Sequence, residues 1–378
     1  MTPDEADRKA FAFLRVIRQA RKMKETETWV VRDGDEKDLE GILSLRKIVF
    51  GDLEKDKLDP RVWTWEFMEN PDGKAFIYIV EIGDRIVGHF ADIPRRFSVK
   101  GETVLGTLSL DLMVHPDFWR KGAFFELGKH AASRVQKENG LFMTAYPIRE
   151  QTIKGLKKIG WQEIVELPVL VYPIRFRGIV GRYLHFPGLG LILGGVAKIV
   201  HLLLFRRKGR NQRGEEVEID PVHEIDGAFD RFLEKSSSLT SVMGIRDRRF
   251  LTWRYFKHPT RSYTLYRALK AGEMMGYIVL RKVDLLKFNS AVIVDLLALD
   301  GEVLEALVGK GIEWSHGEGA DLLAFMVPRS HPSCEQLKGL GFLQSLKSFL
   351  FMIYPHARES ELLQPEKWYV TWGDTDVI

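Results

Sequence analysis

Cysteine is almost missing from this chain: Cys334 is the single one among 378 residues. An internal disulfide and a cysteine-based metal cluster are therefore excluded, and a reducing, cytoplasmic setting is expected. Charge of one sign is equally scarce. The formal net charge is +4, and the basic residues are spread out rather than massed. That balance leans slightly towards anionic partners such as a phosphorylated cofactor and argues against a dedicated nucleic-acid binder. No stretch reads as a signal peptide. Met1 to Lys24 is charged, and Phe11, Leu14 and Ile17 fall on one helical face, so residues 1–27 are expected to hold an amphipathic helix. A charge-free apolar run of about 20 residues, which a membrane span needs, is also lacking. Pro187–Phe205 comes nearest, but it carries Lys198 and His201 and is followed by Arg206, Arg207 and Lys208. It is expected to be a helix buried between domains, with weak peripheral membrane contact through 187–208 as the sharper reading.

What is present is enough apolar sequence, 45% of the chain, to build more than one core at this length. Thr28–Arg32 reads as a strand and Asp35–Val49 as a helix. Pro60–Glu69 is an aromatic-rich helix stopped by Asn70-Pro71-Asp72-Gly73. Ala75–Glu81 and Arg85–Ala91 form a hairpin across Gly83-Asp84. Leu108–Val114 is a buried strand, followed after Pro116 by a helix from Gly122 to Lys137. Leu141–Ala145 is another strand, Gln151–Lys158 a short helix, and Gly160-Trp161 opens the last strands, to about Tyr172. The pattern is a mixed α/β layer.

It then repeats. Trp63-Thr-Trp-Glu-Phe-Met-Glu-Asn-Pro71 matches Leu251-Thr-Trp-Arg-Tyr-Phe-Lys-His-Pro259. Trp65 and Trp253 lie 188 apart, and Pro71 with Pro259 and Gly88 with Gly276 keep the same offset. Gly341-Phe342 echoes Gly160-Trp161. One offset held across helix, turn and strand implies an internal duplication. The expected organisation is one copy over 28–175, an apolar helix and polar linker over 176–218, and a second copy over 219–378.

The chemistry concentrates in Ser109-Leu-Asp-Leu-Met-Val-His-Pro-Asp-Phe-Trp-Arg-Lys-Gly-Ala-Phe-Phe-Glu-Leu127. A strand ends, Pro116 forces a turn, and two basic residues with a glycine open a helix. The first N–H groups of a helix have no internal partners and sit at its positive end, so such a turn suits a pyrophosphate. Taken alone, a basic strand-to-helix turn with solvated charges would look the same.

Strand, His-Pro-Asp, basic turn, glycine, long helix, strand, short helix and Gly-Trp together resemble the GNAT superfamily of acyl-CoA N-acyltransferases, over about residues 28–175. The family's Arg/Gln-x-x-Gly-x-Gly/Ala reads here Trp119-Arg-Lys-Gly122-Ala-Phe124. Phe124, with Ser109 and Asp111 on the preceding strand, resembles a variant from surface-polysaccharide pathways. The resemblance implies two tandem GNAT-like mixed-sheet domains, an acyl-CoA co-substrate (acetyl-CoA first), no metal, and a small-molecule amine acceptor such as an amino sugar. It implies that the strand ending at Met113–Val114 diverges from Leu141–Ala145, that pantetheine bonds to backbone at Met113 and Val114, and that N–H groups from Arg120 through Lys121, Gly122 and Ala123 to Phe124 hold the pyrophosphate. Val114 is the expected oxyanion donor, and Asp111 the candidate for steering or deprotonating the amine. The family's usual acid, a tyrosine, falls on Leu156. Tyr146 is the nearest substitute, unless it only packs, and Ile148 replaces a frequent asparagine. In the second copy the matching turn holds Asp300, Glu302 and Glu305, which would repel a pyrophosphate. Two rival readings stay open: a Fem-type aminoacyl transferase and a non-catalytic acyl-CoA-binding scaffold. The aromatic residues Trp63, Trp65, Phe67, Trp253 and Tyr255 are expected to pack in the core, with sugar stacking as the alternative. Arg246 to Arg249 are expected to be a solvated helix start.

Overall fold

The computed structural model describes residues 29–51, 55–175, 216–237, 239–285, 288–357 and 359–376. The expected helices at Met1–Lys24 and Pro187–Phe205 lie outside these residues. No described helix is long and apolar enough to cross a membrane.

The first half runs β1 (Val30–Gly34), α1 (Leu39–Phe50), α2 (Pro60–Phe67), β2 (Phe76–Ile82), β3 (Arg85–Val99), β4 (Glu102–Val114), α3 (Ala123–Lys137), β5 (Phe142–Ala145), α4 (Glu150–Ile159) and β6 (Gln162–Pro173). The second runs β7 (Glu218–Pro221), α5 (Gly227–Ser236), β8 (Val242–Gly244), α6 (Arg248–Leu251), β9 (Thr264–Lys270), β10 (Glu273–Leu285), β11 (Phe288–Ala298), α7 (Gly301–Gly317), β12 (Leu322–Met326), α8 (Pro332–Gly339), β13 (Leu343–Pro355) and the short β14 (Trp368–Tyr369). β3 and β4 are much longer than the sequence suggests. They continue as a hairpin turned at Lys100 and Gly101, both with positive φ. Pro94, Arg95 and Arg96 disguise β3 as a loop; Asp72 and Asp247 pair with Arg96 in the folded chain.

The strands form one continuous mixed sheet in the order β1-β2-β3-β4-β5-β13-β6-β12-β11-β10-β9-β7. The order reads the same from both ends once each strand is matched to its repeat. The two tandem mixed-sheet units are thus joined into one sheet, because each half gives its last strand to the other. β13 pairs with β5 through Met352 and Ala145, and β6 pairs with β12 through Leu170 and Phe325. The two exchanged strands also pair with each other.

Near the centre of this pseudo-symmetry stand Trp65 and Trp253, stacked 4.6 Å apart. Each indole N–H donates to the other's backbone carbonyl, at 3.0 and 3.1 Å. Asp59 caps α2 and Asp247 caps α6, again at matching positions. Gly88 and Gly276 are the close-approach points of the long helices. A methyl group on Gly88 would meet Leu127 of α3, and one on Gly276 would meet Val303 and Leu307 of α7. In the first half α1 and α2 cover one sheet face over Ile42, Leu45, Trp63, Phe67 and Ile93. The other face is covered by α3 and α4, over Leu127, Ala131, Leu156 and Trp161.

Candidate active site

β4 pairs with β5 only over Gly106–Leu108 and Phe142–Thr144. Beyond that the parallel strands part, and the edge of β4 from Ser109 to Val114 has no strand neighbour there among the described residues. The backbone N–H of His115 donates to Val87, so strand alternation turns the N–H and carbonyl of Val114 into the gap. Met113 does not face it: it pairs with His89 in the β3 ladder, and its side chain is buried in the core. Of the two expected pantetheine contacts, only Val114 is presented. Its carbonyl accepts from the indole N–H of Trp119 at 2.8 Å.

The turn after β4 has the expected form. Arg120 and Gly122 both have positive φ, 64° and 94°. Gly122 caps α3, and its carbonyl accepts from Phe125 and Glu126. The N–H groups of Gly122, Ala123 and Phe124 therefore precede the intrahelical bonds and lie at the positive helix end. A side chain built on Gly122 would meet no described residue within 4 Å. Trp119, Arg120 and Lys121 are exposed around it. Phe124 packs against Gly155 of α4, which gives the departure from the family's small residue a structural cause.

The second half shows the same gap closed from within. β11 and β12 pair over Ser290–Ile293 and Leu322–Phe325 and then part. The hydroxyl of Tyr369 donates to the Leu296 carbonyl on that edge. Thr371 donates to Asp295 at 3.0 Å, and Trp372 is fully buried beside them. At the matching turn Asp300 caps α7, accepting from Val303 at 2.8 Å and pairing with Lys270 at 2.8 Å. A carboxylate already occupies the place a phosphate would take.

Asp111 sits on a β-bulge with φ of 54°, the kind of irregularity that re-aims a side chain beside a site. It is held by Arg46 at 2.6 Å and Lys57 at 3.9 Å. Burial pushes its pKa up, but Lys57 and Arg46 outweigh that and hold it at about 2. Such a carboxylate is a poor proton acceptor near neutrality. Ser109 donates to Asp92 within the sheet, so this member of the Ser-x-Asp pair is a structural hydroxyl. Tyr146 stacks on Phe351 at 5.3 Å; burial and the nearby Asp374 push its pKa well above the ordinary value. Leu156 is buried in the apolar core.

The sequence reading passed over Glu66. It lies on α2, buried, with Lys57 at 3.6 Å and no hydrogen bond to any described residue. Burial is the main cause that raises its pKa to about 7; Lys57 opposes this, and Asp111 and Asp376 add to it. Glu66 lines a cavity of about 40 Å³. Leu108 and Thr144, the last paired residues before the strands part, line it too, as do Trp65, Trp253, Arg95, Arg254 and Asp374 to Asp376. The cavity thus reaches the last paired residues before the gap and is walled by both halves. One signal for Glu66 was in the sequence: within the repeated helix it faces Arg254 at the same offset, an inversion of charge. Arg246 corrects another expectation. It is fully buried rather than solvated, pairing with Asp295 at 2.9 Å and Asp374 at 2.6 Å.

Comparison with known proteins agrees with this geometry. Residues 30–164 match the acetyltransferase (GNAT) domain. No curated protein matches the sequence. Among solved structures, a GCN5-related N-acetyltransferase from Anabaena variabilis is similar with a TM-score of 0.60 at 12% identity, covering 86% of this chain and 72% of that one. A probable N-acyltransferase from Enterococcus faecalis gives 0.59 at 12% identity, with 86% and 72% covered. Saccharomyces cerevisiae N-myristoyltransferase with bound myristoyl-CoA gives 0.58 at 11% identity, with 86% and 79% covered. Nothing in these likenesses supports the tie to surface-polysaccharide pathways. Residues 30–164 are a GNAT acetyltransferase domain, set in a mixed sheet that spans both halves as in a tandem GNAT fold.

Proposed function

We propose that the chain is an acyl-CoA-dependent N-acyltransferase that binds one acyl-CoA, in its first half, and passes the acyl group to a small amine. The observation that carries this is the parting of β4 from β5 beside the open helix start at Gly122, with the equivalent gap closed by Tyr369 and Trp372. Pantetheine lies in the gap against Val114, and the pyrophosphate meets the N–H groups of Gly122, Ala123 and Phe124, with Arg120 and Lys121 supplying charge. Trp119 swings off the Val114 carbonyl or packs along the arm. The likeness to a structure holding myristoyl-CoA supports an acyl-CoA ligand; acetyl is the group we expect.

The amine enters from the α2 face, through the cavity. It must lose a proton to attack, and Glu66 is the base that takes it. Asp111 keeps Lys57 and Arg46 in place and fixes the bulge, so it acts as a positioning residue. The Val114 N–H stabilises the oxyanion as the thioester carbonyl is attacked. The thiolate leaves without a tyrosine at position 156; a thiol pKa of about 8.5 makes that departure feasible with modest help. Calorimetric titration with acetyl-CoA tests the binding half of the proposal, and release of free thiol with an amine panel tests the chemistry. Two sites per chain, or no thiol release with any amine, overturns it.

A further inference from the structure

Two groups of opposite charge in the cavity make no hydrogen bond to any described residue. One is Glu66. The other is Arg95, which is buried, with both terminal nitrogens, Nη1 and Nη2, lacking hydrogen-bond partners. Its nearest carboxylates stand off at 3.9 Å (Asp72) and 3.8 Å (Asp374). Asp72 is committed to Arg96 at 2.6 Å and Oδ2 of Asp374 to Arg246 at 2.6 Å, while Oδ1 of Asp374 stands off from Arg95 without a hydrogen-bond partner of its own. The Arg95 guanidinium lies against the Phe250 ring, 3.2 Å from its centroid, which fixes its plane without satisfying its edge.

Buried donors are paired in folded proteins, and leaving several N–H groups of one guanidinium without acceptors is expensive. A forked pair of open nitrogens suits a carboxylate, which accepts two parallel hydrogen bonds from an arginine. An open carboxylate in the same cavity suits an ammonium. A volume of about 40 Å³ has room for about three waters, which is the size of the smallest amino acids or the head of a larger one.

We propose that the acceptor is an amino acid, its amine directed to Glu66 and its carboxylate seated on Nη1 and Nη2 of Arg95. This rests on the acyltransferase reading and narrows it. An amino sugar, which has no carboxylate, would leave the Arg95 edge without an anion.

The test compares matched acceptors on the wild-type chain: glycine against methylamine, β-alanine against ethylamine, and glucosamine as a polyhydroxy amine. Free-thiol release from acetyl-CoA gives kcat/KM, and calorimetry of each compound without acetyl-CoA gives affinity independently of turnover. An amino acid should exceed its decarboxylated partner at least tenfold in both. In R95Q that ratio should fall towards one, and in R95K it should recover in part. Equal use of amines with and without the carboxylate, or a preference for glucosamine, overturns the amino-acid assignment and leaves acyl transfer standing. If no amine is acylated, the acyltransferase reading fails, and calorimetry still decides whether the cavity binds a carboxylate. Equal binding of each matched pair there overturns the carboxylate seat on Arg95. Should R95Q not fold, the wild-type ratios decide.

Discussion

Replacing Glu66 by glutamine separates a catalytic role from a structural one, because the two predict opposite signs. The carboxyl is buried, and its pKa is raised from 4.5 to about 7. A carboxyl whose pKa is higher folded than unfolded binds its proton more tightly in the folded state. Its stabilising contribution is therefore present below about 4.5 and is lost as pH rises through about 7. The size of that loss is on the order of 3 kcal/mol. Glutamine is neutral at every pH and avoids it, so E66Q should melt higher than wild type at pH 8 and about equally at pH 4. Loss of the Lys57 contact offsets part of the gain, although Lys57 keeps Asp376 at 2.6 Å. Activity should move the other way. Removing a general base lowers kcat by about 10²–10⁴, and the wild-type kcat/KM should rise with pH along a limb centred near 7 that E66Q lacks. Free-thiol release between pH 5 and 9, with thermal melts at the same pH values, covers both. An E66Q variant that keeps wild-type kcat, or a wild-type profile flat through pH 7, refutes the assignment.

Three further outcomes follow from the same contacts. D111N should lose stability, by about 3–5 kcal/mol, because it removes the buried carboxylate that pairs with Arg46 at 2.6 Å; chemical denaturation measures this. The wild-type contribution of Asp111, whose pKa is depressed to about 2, should be present above the ordinary carboxylate range and lost only as pH falls towards 2. G122E should abolish acetyl-CoA binding by adding bulk and like charge before the helix start, whereas G301E, facing only the flexible end of Gln336, should leave it intact; calorimetry with both variants checks the assignment to one half. W65A should cost about 3–5 kcal/mol, since it opens the stack on Trp253 and removes one of the two reciprocal hydrogen bonds.

The sequence was most legible where local chemistry decides the outcome. The proline, the basic pair and the glycine from Pro116 to Gly122 can hardly fold otherwise than as a turn into a helix start, and the repeat marks Trp65 and Trp253 as equivalent positions. It was least legible where partners are distant. Met113 and Val114 are both apolar residues at the end of one strand, and only the ladder with β3 decides which backbone faces the gap. Asp111 looked like a base because nothing local shows that Arg46 and Lys57 converge on it. Glu66 carries no local mark of its role, since its burial depends on the second half and the C-terminal segment. The exchange of β6 and β13 leaves no local signal at all, because either strand would satisfy the alternation in its own half.

That exchange also sets the order in which the molecule can be completed. β5 ends at Ala145, and its partner Met352 follows about 200 residues later, so at ~5–20 residues per second a ribosome takes roughly 10–40 s to supply it. Throughout that interval the edge of β5 and both edges of β6 are bare, and bare edges invite pairing with other chains. The GNAT half is thus a slow-maturing segment with high contact order, ending its folding together with the half that follows it. A gene cut between the halves would yield two insoluble pieces rather than a small active enzyme and a silent remainder.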